Sequence, residues 1–511
     1  MKPDRAFDKI KTLDELADII PVLKAEGNTI IHCHGIFDLL HPGHIHHFEA
    51  AKREGDILIV TITPDEYVGK GPGRPVFSQR LRAESVAALH CVDYVAINEW
   101  PTAVETIKKL KPNVYAKGSD YANREDDLTG QIYKEEEAIK SIGGRLHFTN
   151  EISFSSTKLL NLHFDVYPEQ ARDFLEQFRY CYSAEDIIKC LNDLKKMKVL
   201  VIGDTIIDQY HYCETLGKSP KDNIITTRYL EEETFAGGAL AAANHVAGFC
   251  QDIHLVTCLG SQNNYEEFIL THLKPNIKPK FFYREDALTV VKRRFVEPSF
   301  LSKLFEVCYL DDHELPQPLN QEVSNYLWTN ASDYDLVLVA DFGHGFIGQK
   351  TAEVLGERSK FLAVNTQTNS ANVGFNLITK YPRADYICID ELEVHLACHD
   401  KFGKLEDLVV KIAKELRCNR LAITQGNQGS LTYAAEDGFF KIPALSEQVV
   451  DRVGAGDAYL SITSPCIADG NPMEMVGFIG NAVGALKVRI VCNRASVEPI
   501  PLFKFITALL K

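Results

Sequence analysis

Short apolar strands alternate with amphipathic helices along the first 118 residues, and this alternation is the feature that most narrows the possible folds. Strands are predicted over 29–35, 56–62, 93–97 and 114–118. The helices between them are predicted over 43–54, 78–90 and 102–110, after an opening helix over 7–27 that Thr12 caps and Gly27 ends. Because strands joined by helices pair in parallel, the pattern predicts an α/β domain with a doubly wound parallel sheet.

A second series of strands begins at residue 198 and predicts another α/β domain. Its apolar strands are expected over 198–208, 254–260, 336–343, 361–365, 386–390 and 421–426. Two stretches between them, 209–235 and 282–310, favour extended antiparallel segments that form a small β lid. We therefore predict an N-terminal domain over 1–161, a charged helical connector over 162–197 and a C-terminal domain over 198–511.

Length and composition agree with this division. The chain has 511 residues, 45% of them hydrophobic, and a formal net charge of -15. A chain of this length exceeds one ordinary core, and its acidic charge argues against nucleic-acid binding. The 13 cysteines form no C-x-x-C pair, and neither a signal peptide nor a membrane-spanning run is present. We expect a cytoplasmic protein without membrane or nucleic-acid partners; whether it forms a homo-oligomer stays open.

Six of the chain's 17 histidines lie in HCHGIFDLLHPGHIHH, residues 32–47. Gly35 and Gly43 let the backbone approach a ligand closely, and the helix that begins here offers unpaired N–H groups to phosphate. His41 and His44 are three residues apart, so both can donate hydrogen bonds to one phosphate whose charge rises in the transition state. A zinc site is the weaker alternative, because no third ligand lies at a motif-like distance.

The pattern G-x-F-D-x-x-H-x-G-H in residues 35–44 resembles the nucleotidyltransferases of the cytidylyltransferase-like superfamily. These enzymes transfer a nucleoside monophosphate from a nucleoside triphosphate to a phosphorylated acceptor. The resemblance continues through GKGPGRPVFSQR (69–80), VYAKGSDY (114–121) and SFSSTKLLN (153–161), and it covers residues 12–161. Within the superfamily, the first domain most resembles the adenylyltransferase half of the bacterial bifunctional ADP-heptose synthases.

This resemblance implies roles for individual residues of the first domain. His41 and His44 would stabilise the α-phosphate during in-line attack. The residues implied in nucleotide binding are Gly35, Phe37, Asp38, Gly43, Lys70, Arg74, Lys117, Ser155, Ser156 and Thr157. For Lys70 and Arg74 a solvated basic loop is the alternative, although the glycines around them suit a flap that closes on ligand.

VVDRVGAGDAY, residues 449–459, is the most informative stretch of the second domain. Gly454, Ala455 and Gly456 precede a predicted helix, so their amides can form an anion hole at its N-terminus. Asp457 follows directly and would place a carboxylate beside the bound phosphate. Phosphoryl transfer needs both parts, donors for the transferring group and a base for the attacking hydroxyl.

Five further segments follow the order and spacing of the ribokinase-like sugar kinases: GDTIIDQY (203–210), FAGGALAAAN (235–244), ADFGHG (340–345), CIDELE (388–393) and TQGNQGS (424–430). The resemblance covers about 198–505 and implies a ribokinase-like α/β fold in which Asp457 is the base. The resemblance also implies sugar contacts through Asp208, Gly237, Gly238, Lys292 and Arg294. It implies ATP contacts through Thr424, Gly426 and Gly429, and Mg²⁺ contacts, by way of phosphate or water, through Asp390 and Glu393. For Lys292 and Arg294, exposed strand charges are the alternative.

The second domain departs from that family at a few positions. Ala241 and Ala242 stand where a sugar-binding Asn is usual, and Val453 stands where Thr is usual. Asp390 replaces the Asn of an N-x-x-E segment. These changes leave open a regulatory pseudokinase joined to an active transferase.

The two resemblances together suggest one reaction sequence. A kinase that phosphorylates an anomeric hydroxyl makes the sugar 1-phosphate that a nucleotidyltransferase accepts. We therefore predict a bifunctional enzyme that uses a sugar phosphate, ATP and Mg²⁺ to make a nucleoside diphosphate sugar similar to ADP-heptose. Heptose synthases normally carry the kinase first, whereas this chain carries the transferase first. A CTP-dependent cytidylyltransferase fused to a kinase for another sugar or polyol is the alternative.

Overall fold

The structure, a computed structural model, describes residues 7–68, 74–118, 131–149, 169–446 and 448–511. Its internal contacts divide the chain into two units. The first comprises Met1–Tyr167 with Phe503–Lys511, and the second comprises Pro168–Leu502. The borders at residues 161 and 197 stay predictions, and each unit is described by itself.

The first unit is built on a parallel sheet. Its strands are β1 (Ile30–Gly35), β2 (Ile57–Ile62), β3 (Tyr94–Ile97), β4 (Val114–Gly118) and β5 (Arg145–Thr149). They lie in the order β3-β2-β1-β4-β5, and every pair is parallel. Because the strand order reverses at β1, the carboxyl ends of β1 and β4 border the crevice where such sheets bind ligands.

The helices of this unit are α1 (Leu13–Ala25), α2 (Pro42–Lys52), α3 (Gln79–Ala87), α4 (Val104–Leu110) and α5 (Gln131–Ser141). Thr12 caps α1 as predicted: its hydroxyl accepts the Glu15 amide, and the Glu15 carboxylate accepts the Thr12 amide. The predicted doubly wound sheet is confirmed. Strand β5 and helix α5 were not predicted, because β5 (RLHFT) is a mostly polar edge strand without an apolar run.

The strands of the second unit are β6 (Lys198–Gly203), β7 (Thr205–Lys218), β8 (Ile225–Gly238), β9 (Asp252–Gln262), β10 (Ile277–Leu288), β11 (Val290–Glu297), β12 (Ser302–Tyr309), β13 (Leu336–Asp341), β14 (Leu362–Thr366), β15 (Tyr386–Asp390), β16 (Arg420–Thr424), β17 (Ser430–Ala434) and β18 (Gly438–Ile442). The main sheet has the order β10-β9-β6-β13-β14-β15-β16-β17-β18 and is parallel from β10 to β16. Strands β17 and β18 continue it in antiparallel pairs.

The predicted lid exists as a separate sheet in the order β12-β11-β7-β8. Its pairing differs from the prediction in two ways. Strand β11 pairs with β7 in parallel, which brings Lys292 beside Asp208, and residues 282–288 belong to β10 of the main sheet. The difference arises because β10 contributes buried Phe282 to the main core, whereas β12 is largely exposed.

The helices of the second unit begin with α6 (Glu169–Cys181) and α7 (Ala184–Asp193), which lie in the predicted connector. They pack within this unit, since buried Phe178 stacks on Phe478 with 4.5 Å between ring centroids. The next helices are α8 (Ala239–Val246), α9 (Glu266–His272), α10 (Gln317–Asn330), α11 (Gln349–Arg358), α12 (Glu391–Ala397), α13 (Leu405–Glu415), α14 (Ala455–Ala468) and α15 (Met473–Lys487). The last helix, α16 (Pro499–Leu510), begins in this unit, and its residues from Phe503 onward belong to the first unit. Over the described part of the chain, no helix has both the length and the apolar character needed to cross a membrane.

The close approach of β6 and β13 gives a stability prediction. A Cβ added to Gly203 would lie 2.0 Å from the Ala340 carbonyl oxygen, whereas one added to Gly484 in α15 would meet nothing within 4 Å. We expect Gly203→Ala to cost about 1–3 kcal/mol and to lower the midpoint of one calorimetric unfolding transition by several degrees. The matched control Gly484→Ala should be neutral or stabilising by up to ~1 kcal/mol. Equal midpoints for the two variants would contradict this packing.

Candidate active sites

The turn after β1 brings His41 and His44 together. His41 is the residue before α2, and its ring stacks on that of His44 with 3.9 Å between centroids. Burial lowers the pKa of His41, which favours the neutral ring with its one N–H donor. Two imidazoles at the start of a helix that follows a parallel strand form an arrangement suited to binding a phosphate. Gly43 lies in the first turn of the same helix.

Gly35 serves the packing of Phe37. Phe37 has a left-handed backbone with φ 50°, and its ring lies against Phe48 and the edge of the His44 ring. A Cβ on Gly35 would come within 2.7 Å of the Phe37 ring. A larger residue at position 35 would therefore displace the aromatic ring that supports His44.

Asp38 positions a neighbouring segment. Its two carboxylate oxygens accept the backbone amides of Val76 and Phe77, at 2.9 and 3.0 Å. The buried side chain of Arg74 lies just before this segment. The residues held by Asp38 therefore connect the histidine turn to one of the predicted phosphate-binding cations.

Arg82 is a further positioning residue that the sequence did not reveal. It is fully buried, and it donates to the carbonyl oxygens of Ile36 and Thr63 and to the carboxylate of Asp65. No motif marks it, because three of its partners lie 17 to 46 residues away along the chain, and the fourth is the Phe77 carbonyl. By bonding to Ile36, it holds the turn that carries the two histidines.

Two further histidines of the segment 32–47 have a structural role. His32 and His34 share the Thr61 hydroxyl at 2.7 and 2.9 Å, and burial lowers the pKa of each to about 3.

At the end of β4, Lys117 forms an ion pair of 3.0 Å with Glu135. The predicted residues Lys70, Ser155, Ser156 and Thr157 lie outside the described residues.

The second unit contains a cleft of about 360 Å³ between the lid and the main sheet. It brings together most of the residues predicted for the kinase: Asp208, Gly238, Lys292, Arg294, Asp390, Glu393, Thr424, Gly454, Ala455, Gly456 and Asp457. Gly237, Gly426 and Gly429 are not among its lining residues. Gly429 instead packs against β18, where a Cβ would lie 2.1 Å from the Ile442 carbonyl oxygen.

Asp457 lies in the first turn of α14, immediately after the predicted anion hole. Gly454 has φ 77°, which suits glycine at the turn that starts this helix. Burial raises the pKa of Asp457 to about 6, and the Gln367 side-chain amide donates to its carboxylate at 2.6 Å. A carboxylate with a pKa near neutrality, in the first turn of a helix, can accept a proton from a hydroxyl.

Asp208 joins two lid strands at the cleft. It forms an ion pair with Arg294, which also contacts Glu306 at 2.7 Å. Gly237 makes room for this carboxylate, because a Cβ there would lie 2.1 Å from the Asp208 oxygen. Arg294 is thus neutralised by two carboxylates, whereas Lys292 forms no ion pair with any residue that the structure describes.

Asp390 and Glu393 form a capping box at the start of α12. Each carboxylate accepts the other's backbone amide at 2.8 Å, and Glu393 also accepts the Thr368 amide at 2.7 Å. Burial and the neighbouring Asp390 raise the pKa of Glu393 to about 8. A divalent cation nearby would favour the ionised carboxylate, and both Asp390 and Glu393 line the cleft.

These two carboxylates fit Mg²⁺ carried by nucleotide phosphates. No cluster of three or more metal-binding side chains occurs among the described residues. Mg²⁺ usually keeps several waters and takes only one or two protein carboxylates besides the phosphates. The donor set therefore suits an ion that enters with the nucleotide.

Two residues of the cleft region were missed from the sequence. Arg452 is an exposed cation that lines the cleft beside the anion hole. His344 is buried, and neither ring nitrogen has a hydrogen-bond partner in the described parts of the chain. Burial lowers the pKa of His344 to about 3, and the charge of Lys292 acts in the same direction.

The loop that carries His344 is held rigidly. Asp204 accepts the backbone amide of Phe342 at 2.9 Å, and Phe342 lines the cleft. Gly343 and Gly345 on either side have φ of 69° and 88°, and a Cβ on either would clash with neighbouring atoms at 2.0–2.3 Å. Only the ADFGHG motif signalled this loop, and it did not single out the histidine.

Comparisons with known proteins agree with the two predicted domain types. The cytidylyltransferase-like family model matches residues 32–161, and the model of the pfkB family carbohydrate kinases matches residues 196–491. Phosphofructokinase-2 from Escherichia coli, solved in complex with substrates and products, is 11% identical with a TM-score of 0.50. The match covers 62% of this chain and all of that one. This likeness supports the predicted fold of the second unit.

The curated relatives match a shorter part of the chain. "Bifunctional protein HldE" of Geobacter metallireducens is 40% identical over 151 residues, and its namesake in Syntrophotalea carbinolica is 34% identical over 151 residues. Each match covers 29% of this chain and 29% of the relative, so the chain spans less than a third of their length. The chain belongs to the pfkB family of carbohydrate kinases and carries a cytidylyltransferase-like domain ahead of the kinase domain.

Proposed function

We propose that the protein is a bifunctional sugar kinase and nucleotidyltransferase that makes a nucleoside diphosphate sugar. The observation that carries the proposal is the presence of two phosphate-binding arrangements in one chain. Stacked His41 and His44 begin α2 in the first unit, and Asp457 follows the Gly454–Gly456 turn in the second. The first arrangement suits attack on an α-phosphate, and the second suits transfer of a γ-phosphoryl group.

In the kinase site, Asp457 accepts the proton of the acceptor hydroxyl as its oxygen attacks the γ-phosphorus of ATP. The bond from that phosphorus to the β-phosphate oxygen breaks, and ADP leaves. The amides at Gly454 and Gly456 donate to the transferring phosphoryl group while its charge is redistributed, whereas the Ala455 amide donates to the Arg452 carbonyl and closes the turn. Mg²⁺, held with the phosphates near Asp390 and Glu393, neutralises phosphate charge when bound.

In the transferase site, the N–H groups of His41 and His44 stabilise the charge that develops on the α-phosphate. A phosphate oxygen of the acceptor attacks the α-phosphorus, and pyrophosphate leaves. Asp38 and Arg82 contribute indirectly, because they hold the turn and the Arg74 segment in place. The site relies on positioning and electrostatic stabilisation and needs no covalent intermediate.

We propose an acceptor of the sugar phosphate class, with a product similar to ADP-heptose. Lys292 supplies a positive charge in the cleft without an ion-pair partner among the described residues. His344, whose pKa is lowered in part by the charge of Lys292, supplies a buried neutral donor and acceptor. A hydroxylated, anionic acceptor satisfies both. The resemblance of the first domain to the adenylyltransferase half of ADP-heptose synthases, and its similarity to proteins called HldE, favour ATP as nucleotide donor.

A cytoplasmic location is part of the same proposal. All 13 cysteines are free, and most of them are buried. Reducing compartments keep cysteines in this form.

The overall function is tested by incubating the purified chain with ATP, Mg²⁺ and a panel of sugars and sugar phosphates that includes heptose 7-phosphate. Mass spectrometry should detect an anomerically phosphorylated sugar and, with a suitable acceptor, a nucleoside diphosphate sugar with pyrophosphate. Parallel reactions with CTP identify the preferred nucleotide. The proposal fails when no member of the panel yields either product.

The paired histidines give a prediction for the transferase. We expect His41→Ala and His44→Ala each to lower pyrophosphate release by about 10²–10³-fold, as for the loss of one oxyanion donor, and to leave sugar phosphorylation unchanged. His46→Ala is the matched control, because its ring is exposed on α2 and lies 3.7 Å from Glu49. Comparable losses in all three variants would argue against a specific role for the stacked pair.

The raised pKa of Asp457 gives a pH prediction for the kinase. The base must be ionised, so kcat/KM for sugar phosphorylation should fall as the pH drops through about 6. The hydrogen bond from Gln367 lowers the pKa of Asp457, so Gln367→Leu should move the fall in kcat/KM to higher pH.

Asp457→Asn is expected to abolish sugar phosphorylation at every pH while pyrophosphate release from a supplied sugar 1-phosphate continues. Unchanged phosphorylation in this variant would refute the assignment of the base. A sugar that binds without being phosphorylated by the wild-type chain would instead favour the regulatory pseudokinase.

A further inference from the structure

A buried lysine lies beneath the anion hole of the kinase site. Lys487, the last residue of α15, has no exposed surface. Its ammonium group donates to the carbonyl oxygens of Val453 at 2.7 Å and Cys492 at 2.5 Å. Val453 and Asn493, the residue after Cys492, both line the cleft. The ammonium group therefore joins the two segments that form one wall of the cleft.

The ammonium group is close to the backbone that forms the anion hole. A Cβ built on Gly454 would lie 3.3 Å from the Lys487 nitrogen and 2.5 Å from the Asn493 side-chain oxygen. Gly454 is thus the position at which the turn passes directly over the lysine. Its left-handed backbone and this close approach both require glycine.

No carboxylate forms an ion pair with Lys487 within the described ranges of the chain; its ammonium group bonds to the two carbonyl oxygens. The nearest charged groups are engaged elsewhere: Asp451 is paired with Lys303 and Asp208 with Arg294. A buried charge that lacks a counter-ion costs several kcal/mol, so such a group persists where an anion offsets it. Asp457 and a phosphoryl group bound over the turn are the anions available there.

We propose that Lys487 is a positioning residue that acts as a built-in cation for the anion hole. By bonding to Val453 it fixes the turn whose amides meet the phosphoryl group, and its charge adds to their field in a water-poor site. The proposal deepens the kinase function proposed above and requires only that phosphate binds at Gly454–Gly456, whatever the sugar.

The chemistry of this position suggests a specific test. Carbonyl oxygens directed at one point also bind free ammonium or potassium ions, as in ion-selective filters. Lys487→Ala removes the amine and leaves space that a free ammonium ion can enter. Lys487→Met fills the same space with an uncharged chain of similar length.

The experiment measures Mg²⁺·AMP-PNP binding to the full chain by the hydrogen-exchange protection of peptides that cover residues 451–457. This local readout is independent of any acceptor and of nucleotide bound in the first unit. We expect roughly tenfold weaker binding for Lys487→Met and Lys487→Ala, on the scale of losing one favourable charge interaction. Ammonium chloride should restore AMP-PNP binding to Lys487→Ala, whereas choline chloride at equal ionic strength should not. Neither salt should restore AMP-PNP binding to Lys487→Met.

Lys441→Met on β18 is the control, because its side chain is exposed and lies 3.6 Å from Glu406. It should bind as the wild type does. Wild-type affinity in folded Lys487→Met, or equal responses of Lys487→Ala to ammonium and choline, would overturn the proposal. The proposed kinase function could fail while this proposal holds. In that case the chain would phosphorylate no sugar of the panel, but its AMP-PNP binding would still depend on Lys487.

Discussion

The mutual neutralisation of buried charges around the start of α14 is the constraint on which the kinase unit depends. Asp451 precedes the anion hole and accepts both the Lys303 ammonium at 2.6 Å and the Tyr210 hydroxyl at 2.7 Å. Lys303 lies on β12 and Tyr210 on β7, so the lid is bonded to the turn that receives phosphate. Asp208 on β7 and Arg294 on β11 form a second, largely buried pair, which joins two strands of the lid itself. Removing one partner of such a pair would leave a costly unpaired charge, so the Asp208–Arg294 pair holds the lid strands together, and the bonds to Asp451 fix the lid to the turn.

Much of the fold could be predicted because its signals are local. The buried strands β1, β2 and β13 are short apolar runs, and the capping box at Thr12 marks the start of α1. Strand β5 lacks an apolar run, and β10 could not be assigned to the right sheet because pairing depends on distant partners. Local patterns thus identified the α/β class, while register and sheet membership came from tertiary contacts.

The candidate sites divide in the same way. The histidine turn and GAGD were recognisable because phosphate binding requires small residues and polar groups at fixed spacing before a helix. Arg82, Lys487 and His344 were not, since their roles arise from contacts with backbone far away in sequence or from burial. Gly35 and Gly237 were expected to face ligands, yet they make room for Phe37 and Asp208.

The central claim is that the phosphate added in the second unit becomes the acceptor phosphate in the first. Its most direct test supplies [γ-¹⁸O]ATP and a sugar without an anomeric phosphate, and then locates the isotope by ³¹P nuclear magnetic resonance. Our account predicts ¹⁸O on the β-phosphorus of the nucleoside diphosphate sugar, because that phosphate derives from the γ-phosphoryl group. A nucleoside diphosphate sugar whose β-phosphate carries no isotope would contradict it.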